Sequence, residues 1–147
     1  MAAEVAGEFE QLFAGRLWSL LSWQQLTDFW ARIDRDAGWY LYAVGEPLPD
    51  KTATAEEVER FIAETDALLH REHHHDYCGI VYADDLASPR MVKIYDPNNL
   101  GSSCGTGKHP HPPGWMMSRV PPVELQRPGP LPEGRKRGPF IRFVAQF

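Results

Sequence analysis

One irregular stretch combines several residues whose types suit chemistry. Over residues 94–115 it reads IYDPNNLGSSCGTGKHPHPPGW, and it holds Cys104, His109 and His111. Glycines and prolines interrupt any periodicity, and a long irregular segment of about 20 residues inside a compact domain commonly has a functional role. We therefore predict that the loop 96–114 is the working surface of the protein.

A metal site is one chemistry that this loop predicts. Cys104 and His109 stand in C-x4-H spacing, and His111 adds an H-x-H pair. Thiolate and imidazole are typical ligands of zinc, which prefers four of them in a tetrahedron. Cys78, early in a predicted strand, is the candidate fourth ligand. The short CxxC motif is lacking, and the run His73–His75 fits a solvated helix end better than a ligand set.

Thiol catalysis is the related alternative. A cysteine nucleophile needs a nearby base, and for Cys104 this would be His109 or a residue of the run His73–His75. Asp96 would orient the histidine only if the fold brought the two together. The alternative to a chemical role is that Cys104 merely fills a tight turn.

The glycine-rich part of the loop superficially matches a phosphate-binding loop. Five residues separate Gly101 from the pair Gly107-Lys108, whereas the P-loop has four, and His109 stands where Ser or Thr should hold Mg²⁺. The prolines that follow exclude the helix whose N-terminus would meet the phosphates. We reject nucleotide hydrolysis, while backbone N–H groups with Lys108 could still hold an anion.

Binding is the function that requires the least of this sequence. Tyrosines, Trp115 and the adjacent methionines supply more aromatic and adaptable surface than a small sheet must bury, which favours an interaction patch. We expect an accessory or binding module with a protein partner rather than an enzyme, and the zinc or thiol protein is its alternative. The residues expected to bind are Asn98, Asn99, Gly101, Ser103, Lys108 and Trp115.

Composition limits the classes of partner and compartment. The chain has 147 residues, 43% of them hydrophobic and 24% charged, which favours one globular domain. Residues 1–76 carry 15 acidic and 6 basic side chains, and residues 77–147 carry 5 and 9. With a pI near 5.6, nucleic-acid binding is not expected. No apolar run approaches the ~18 residues of a membrane span, and two cysteines do not suggest a disulfide framework. We expect a cytoplasmic protein without cofactors, apart from the zinc alternative.

Periodicity predicts three helices. An apolar stripe places the first over about residues 3–21, and a homodimer through this helix is a further expectation. Ser22 and Gln25 form a capping box before the second helix, and Gly38 is its expected C′ residue. Thr54 and Glu57 repeat the box before the third, whose inward residues are Val58, Phe61, Ile62, Leu68 and Leu69.

Strands account for the rest of the pattern. They are predicted at residues 39–44, 77–83, 90–95, 115–120 and 140–147, with a hairpin between the second and third. Proline-rich residues 121–139 predict a surface arm. The order indicates one α+β domain over residues 1–147, in which a helical pair and a third helix pack on one face of a mainly antiparallel sheet of four or five strands.

Overall fold

A five-stranded antiparallel sheet with three helices forms the framework of the protein. The structure, a computed structural model, describes residues 2–98 and 112–125, with side chains from residue 7 onward. The predicted α+β class is confirmed. The elements are α1 (Ala2–Ala14), β1 (Trp18–Ser19), α2 (Trp23–Arg32), β2 (Tyr40–Ala43), α3 (Ala55–Glu72), β3 (Val81–Ala83), β4 (Met91–Ile94) and β5 (Trp115–Ser118).

The strands follow the spatial order β1-β3-β4-β5-β2, and each neighbouring pair is antiparallel. The predicted hairpin is confirmed as β3 and β4, with Val81 opposite Ile94 and Ala83 opposite Val92. Loop 96–114 connects β4 to β5, so it joins two strands that lie side by side at the centre of the sheet. Among the described strands, β1 and β2 form the two edges.

The two faces of the sheet are covered by different helices. Leu41, Val92 and Met117 belong to the larger core, which α2 and α3 complete. The alternate residues Tyr42 and Met116 point the other way, because successive side chains of a strand face opposite sides, and they pack with Phe9 of α1. The expectation of helices on one face therefore holds for α2 and α3 only. Both faces of the central strands are apolar, so the second face also requires a cover.

Two capping boxes fix the starts of α2 and α3, as predicted. Ser22 Oγ accepts a hydrogen bond from the backbone N–H of Gln25, and Thr54 Oγ1 accepts one from that of Glu57. The Gln25 and Glu57 side chains accept from the backbone N–H groups of the two cap residues in return. The predicted inward residues of α3 are buried: Val58, Phe61, Ile62, Leu68 and Leu69. The apolar residues in and just after α2 are buried as well: Leu26, Phe29, Trp30 and Ile33.

The predicted extent of the first helix is wrong, because α1 ends at Ala14. A Cβ at position 15 would stand 2.9 Å from the carbonyl oxygen of Gln11, and the glycine there ends the helix instead. The residues after Gly15 include β1, although their apolar spacing predicted a continuing helix. Gly38 is not the C′ residue of α2, whose C-cap is Ile33. Gly38 has a φ of +88° in the turn before β2.

Several predictions fall on residues outside the described ranges. These are the strand at 140–147, most of the arm 121–139 and the greater part of loop 96–114. Of the helices that the structure describes, none has the combination of length and apolarity needed to cross a bilayer.

Candidate functional site

The described residues contain only part of the predicted site. Asp96, Asn98, Trp115, Cys78 and the histidine run are described. The remaining candidates lie outside the described residues: Asn99, Gly101, Ser103, Cys104, Lys108, His109 and His111. The zinc site and the thiol nucleophile based on Cys104 therefore stay predictions.

The stem of loop 96–114 is closely paired. Gly114 donates its backbone N–H to the carbonyl oxygen of Ile94 at 2.9 Å. Asp96 is buried, and its carboxylate accepts a hydrogen bond from the backbone N–H of Asn98 at 2.9 Å. A Cβ at position 114 would lie 3.2 Å from the Asp96 Cβ, so only glycine fits this approach easily. The chain therefore leaves the sheet and returns to it at one point.

Asn98 links this stem to the end of α3. Its side-chain amide donates to the carboxylate of Glu72, the last residue of the helix. The histidine run begins at the next residue. The fold thus brings together the base of the loop and the run His73–His75, two segments that the sequence marks separately.

His73 is buried rather than solvated. Its Nε2 contacts the carbonyl oxygen of Cys78 at 2.9 Å, and because a carbonyl only accepts, Nε2 carries the proton. Burial lowers the pKa of His73, which favours the neutral ring. His74 and His75 are exposed, as expected for a helix exit, and His74 Nε2 donates to the Arg71 carbonyl oxygen at 2.7 Å.

Cys78 is fully buried in the main core. Burial raises the pKa of its thiol, which favours the protonated, unreactive form. In the described part of the chain, no three His, Cys, Asp or Glu side chains are close enough to hold a metal ion. Cys78 thus behaves as a small apolar core residue in the described structure.

An aromatic and imidazole cluster covers the end of α3. The Trp23 ring lies 4.3 Å from the ring of His70 and 6.0 Å from that of His73, centroid to centroid. The ring of His75 lies 4.7 Å from that of His73 and 5.5 Å from that of Tyr77. Trp23 Nε1 also donates to the His75 carbonyl oxygen at 3.0 Å. These contacts hold the segment before β3 against α2.

Three large exposed apolar side chains lie on two neighbouring segments, one before α2 and one before β3. Trp18, Leu21 and Tyr77 are 49%, 60% and 57% exposed, and we refer to these three as the β1 edge patch. The two segments that carry them are joined by a hydrogen bond of 2.7 Å from the Cys78 N–H to the Leu21 carbonyl oxygen. Leu48, beyond β2 at the opposite edge, is the fourth large hydrophobic side chain that is exposed among the described residues.

Several of the aromatic and methionine side chains predicted to surround the loop belong to the core instead. Trp115 is 2% exposed, and Tyr42, Met116 and Met117 are fully buried. Trp115 therefore cannot offer its ring to a partner in this conformation, because it faces the core completed by α2 and α3. The tyrosine that does remain exposed is Tyr77.

Sequence reasoning missed two residues of the patch. Trp18 and Leu21 lie in the segment predicted as the end of the first helix, where Leu21 counted toward the buried stripe. Gly15 was the signal that could have separated them from the helix, because glycine is a frequent helix terminator.

Comparison with protein-family models, with curated proteins and with solved structures gives no match.

Proposed function

We propose that the protein is a binding module that docks a protein partner through the β1 edge patch, near the described stem of loop 96–114. The observation that carries this proposal is that two hydrogen-bonded segments hold three of the four large apolar side chains exposed among the described residues: Trp18, Leu21 and Tyr77. Clustered exposed apolar side chains mark interaction sites, whereas scattered ones need no explanation. Trp and Tyr are also enriched among residues that dominate binding energy.

The backbone beneath the patch is held in place before any partner binds. Trp18 and Ser19 pair with Ala83 and Tyr82 of β3, and the Leu20 N–H donates to the Val81 carbonyl oxygen at 2.9 Å. A surface whose backbone is already ordered loses less conformational entropy on association. This favours recognition of a folded apolar surface on the partner.

The edge position of β1 provides backbone groups as well. Because Leu20 is hydrogen bonded to Val81, the neighbouring pair Ser19–Tyr82 occupies the non-hydrogen-bonded position of the antiparallel ladder. The N–H and C=O of Ser19 therefore point away from β3. A partner on the apolar side chains could also accept from and donate to this residue.

The loop adjoins the patch through its stem. Asn98 contacts Glu72, and the next residue, His73, packs edge-on against Tyr77 with 6.4 Å between ring centroids. A partner seated on Tyr77 would therefore lie close to the point where residues 96–114 leave the sheet. The cytoplasmic location expected from the sequence is part of this proposal.

The test compares two exposed leucines at opposite edges of the sheet. Tagged wild-type chain, Leu21→Asp and Leu48→Asp are purified from cells of the source organism, and co-purifying proteins are quantified by mass spectrometry. We expect a partner that is retained by Leu48→Asp and reduced at least about tenfold by Leu21→Asp, because a charge would be buried at the interface. Trp18→Ala should weaken the same interaction.

Two results would count against the proposal. Equal retention of every partner by Leu21→Asp and Leu48→Asp would show that the patch is not the contact surface. Concentration-dependent dimerisation of the purified chain, lost in Leu21→Asp by sedimentation analysis, would show that the patch binds a second copy instead. The predicted dimer through α1 is distinguishable, since Leu21 lies outside that helix.

A further inference from the structure

A buried lysine lies at the centre of the face that α1 covers. Lys93 is on β4, directly opposite Tyr82 of β3 and Met116 of β5, and is 7% exposed. Its Nζ stands 3.6 Å from the centroid of the Phe13 ring of α1. A cation over an aromatic face gains some electrostatic attraction, but this is a weak replacement for hydration.

The charge of Lys93 has no anion to balance it within the described structure. The ion pairs formed between described residues all involve other side chains. Burial lowers the pKa of Lys93 from 10.5 to about 8, and no carboxylate contributes to that shift. Buried charges in proteins are generally paired or bound to ligands, so this amine is a site at which an anion would be stabilised.

A cleft with apolar and phenolic walls is lined in part by Tyr82, the residue paired with the lysine across the sheet. Its volume is about 400 Å³, and Leu17, Ile80, Tyr82 and Tyr95 line it. The two tyrosine rings meet edge to face, with centroids 5.7 Å apart. Tyr82 is the cross-strand partner of Lys93. Tyr95 follows Lys93 by two residues in the chain, which places it on the same face. A cleft of this size accommodates a small organic ligand.

We propose that this cleft binds an organic anion with one or two aromatic rings, and that Lys93 is its counter-ion. The rings would lie among Leu17, Ile80 and the tyrosines, while the carboxylate or sulfonate would face Nζ. The lysine stem is long and rotatable, so the ammonium can leave the Phe13 ring for an anion in the cleft. The proposal shares no residue with the β1 edge patch and does not depend on a protein partner.

The experiment uses a pair of fluorescent probes that differ in charge. Anilinonaphthalene sulfonate carries the anion, and phenylnaphthylamine has the same rings without it. Each is titrated into the full chain and into Lys93→Met, which keeps the length of the side chain but removes the amine. Because hydrogen bonds to charged groups are strong, we expect the Kd of the sulfonate to rise at least about tenfold in Lys93→Met. The Kd of the neutral probe should change by less than about twofold.

Two further variants locate the binding. Lys51→Met removes an exposed lysine and should leave both affinities unchanged. Ile80→Trp fills the cleft and should weaken both probes. Circular dichroism establishes that each variant is folded before titration.

Three outcomes would overturn the proposal: no saturable binding of the sulfonate to the folded wild type, equal losses for both probes in Lys93→Met, or loss of the sulfonate in Leu21→Asp but not in Ile80→Trp. The last would place the probe on the β1 edge patch.

Discussion

Replacing Lys93 by methionine should stabilise the protein at neutral pH. Burial lowers the pKa of the amine from 10.5 to about 8. Each unit of pKa difference between the folded and unfolded chains corresponds to about 1.4 kcal/mol. The shift of Lys93 therefore sets an upper value of about 3 kcal/mol for the cost of burying its charge. The lost attraction to Phe13 offsets about 1 kcal/mol. We expect a gain of about 2 kcal/mol in the free energy of unfolding at pH 7.

The gain should depend on pH in a defined direction. Below about pH 8 both folded and unfolded wild-type chains are protonated at Lys93, so the folded state bears the whole cost. Between pH 8 and 10.5 the folded chain releases the proton first, and wild-type stability rises toward that of the variant. The titratable side chains that face Lys93 on the sheet are Tyr82 and Tyr95, and burial raises the pKa of Tyr95. Both remain in the variant, so their contribution largely cancels.

Urea unfolding followed by tryptophan fluorescence measures the difference. Wild type, Lys93→Met and the exposed-lysine control Lys51→Met are compared at pH 7 and at pH 9.5. The advantage of Lys93→Met should shrink at the higher pH, and Lys51→Met should match wild type at both. A Lys93→Met variant less stable than wild type at pH 7 would show that a group beyond the described residues balances the charge of the amine. An advantage independent of pH would show that burial of this charge is not the source of the cost. The reasoning would then be refuted.

Three further predictions concern local structure. Gly79 has a φ of +72°, and a Cβ there would lie 3.2 Å from the Tyr77 ring, whereas at Gly38, with a φ of +88°, the nearest atom is 3.9 Å away. Gly38→Ala should therefore lower the free energy of unfolding by about 1 kcal/mol, and Gly79→Ala should lower it by more. Of the two variants, only Gly79→Ala should weaken partner binding. Burial lowers the pKa of His73 from 6.5, so the unfolded chain binds the proton first as the pH falls. The stability of the protein should therefore decrease below about pH 6.5. His73→Gln should lose less stability between pH 7.5 and 5.5, as measured by unfolding titrations. Thr54→Ala should cost about 1 kcal/mol in urea unfolding and Thr54→Ser much less, since serine can keep the cap; equal losses would exclude the cap as the cause.

Features that depend on local rules were predictable from the sequence. The capping boxes at Ser22 and Thr54 require only residues three apart, and the inward faces of α2 and α3 follow from helical spacing. The β3–β4 hairpin needed only two short apolar runs around a turn. In these segments the local preference and the tertiary structure agree.

The features that carry the proposals depend on tertiary context. The position of Leu21 is compatible with the buried stripe of a helix and with the exposed edge of a sheet. Only the pairing of β1 with β3 shows that the edge is correct. Lys93 lies between Val92 and Ile94, so strand alternation predicts a lysine on a solvated face. The face is buried because α1 covers it, and that packing could not be derived from the spacing of residues in either element.

The two faces of the sheet differ in the side chains that cover them. The face beneath α2 and α3 is filled by apolar side chains and bounded by capped helices, which makes it the main source of stability. On the other face, Phe9, Tyr42, Met91 and Met116 form a smaller cluster, and the buried Lys93 lies beside Met116 in the sheet. A lysine that only filled this space would be inferior to methionine at neutral pH, since it costs stability and gains little from Phe13. The proposed ligand would supply the missing compensation, since Tyr82, the cross-strand partner of Lys93, lines the cleft. A bound anion should therefore reverse the stability order of wild type and Lys93→Met.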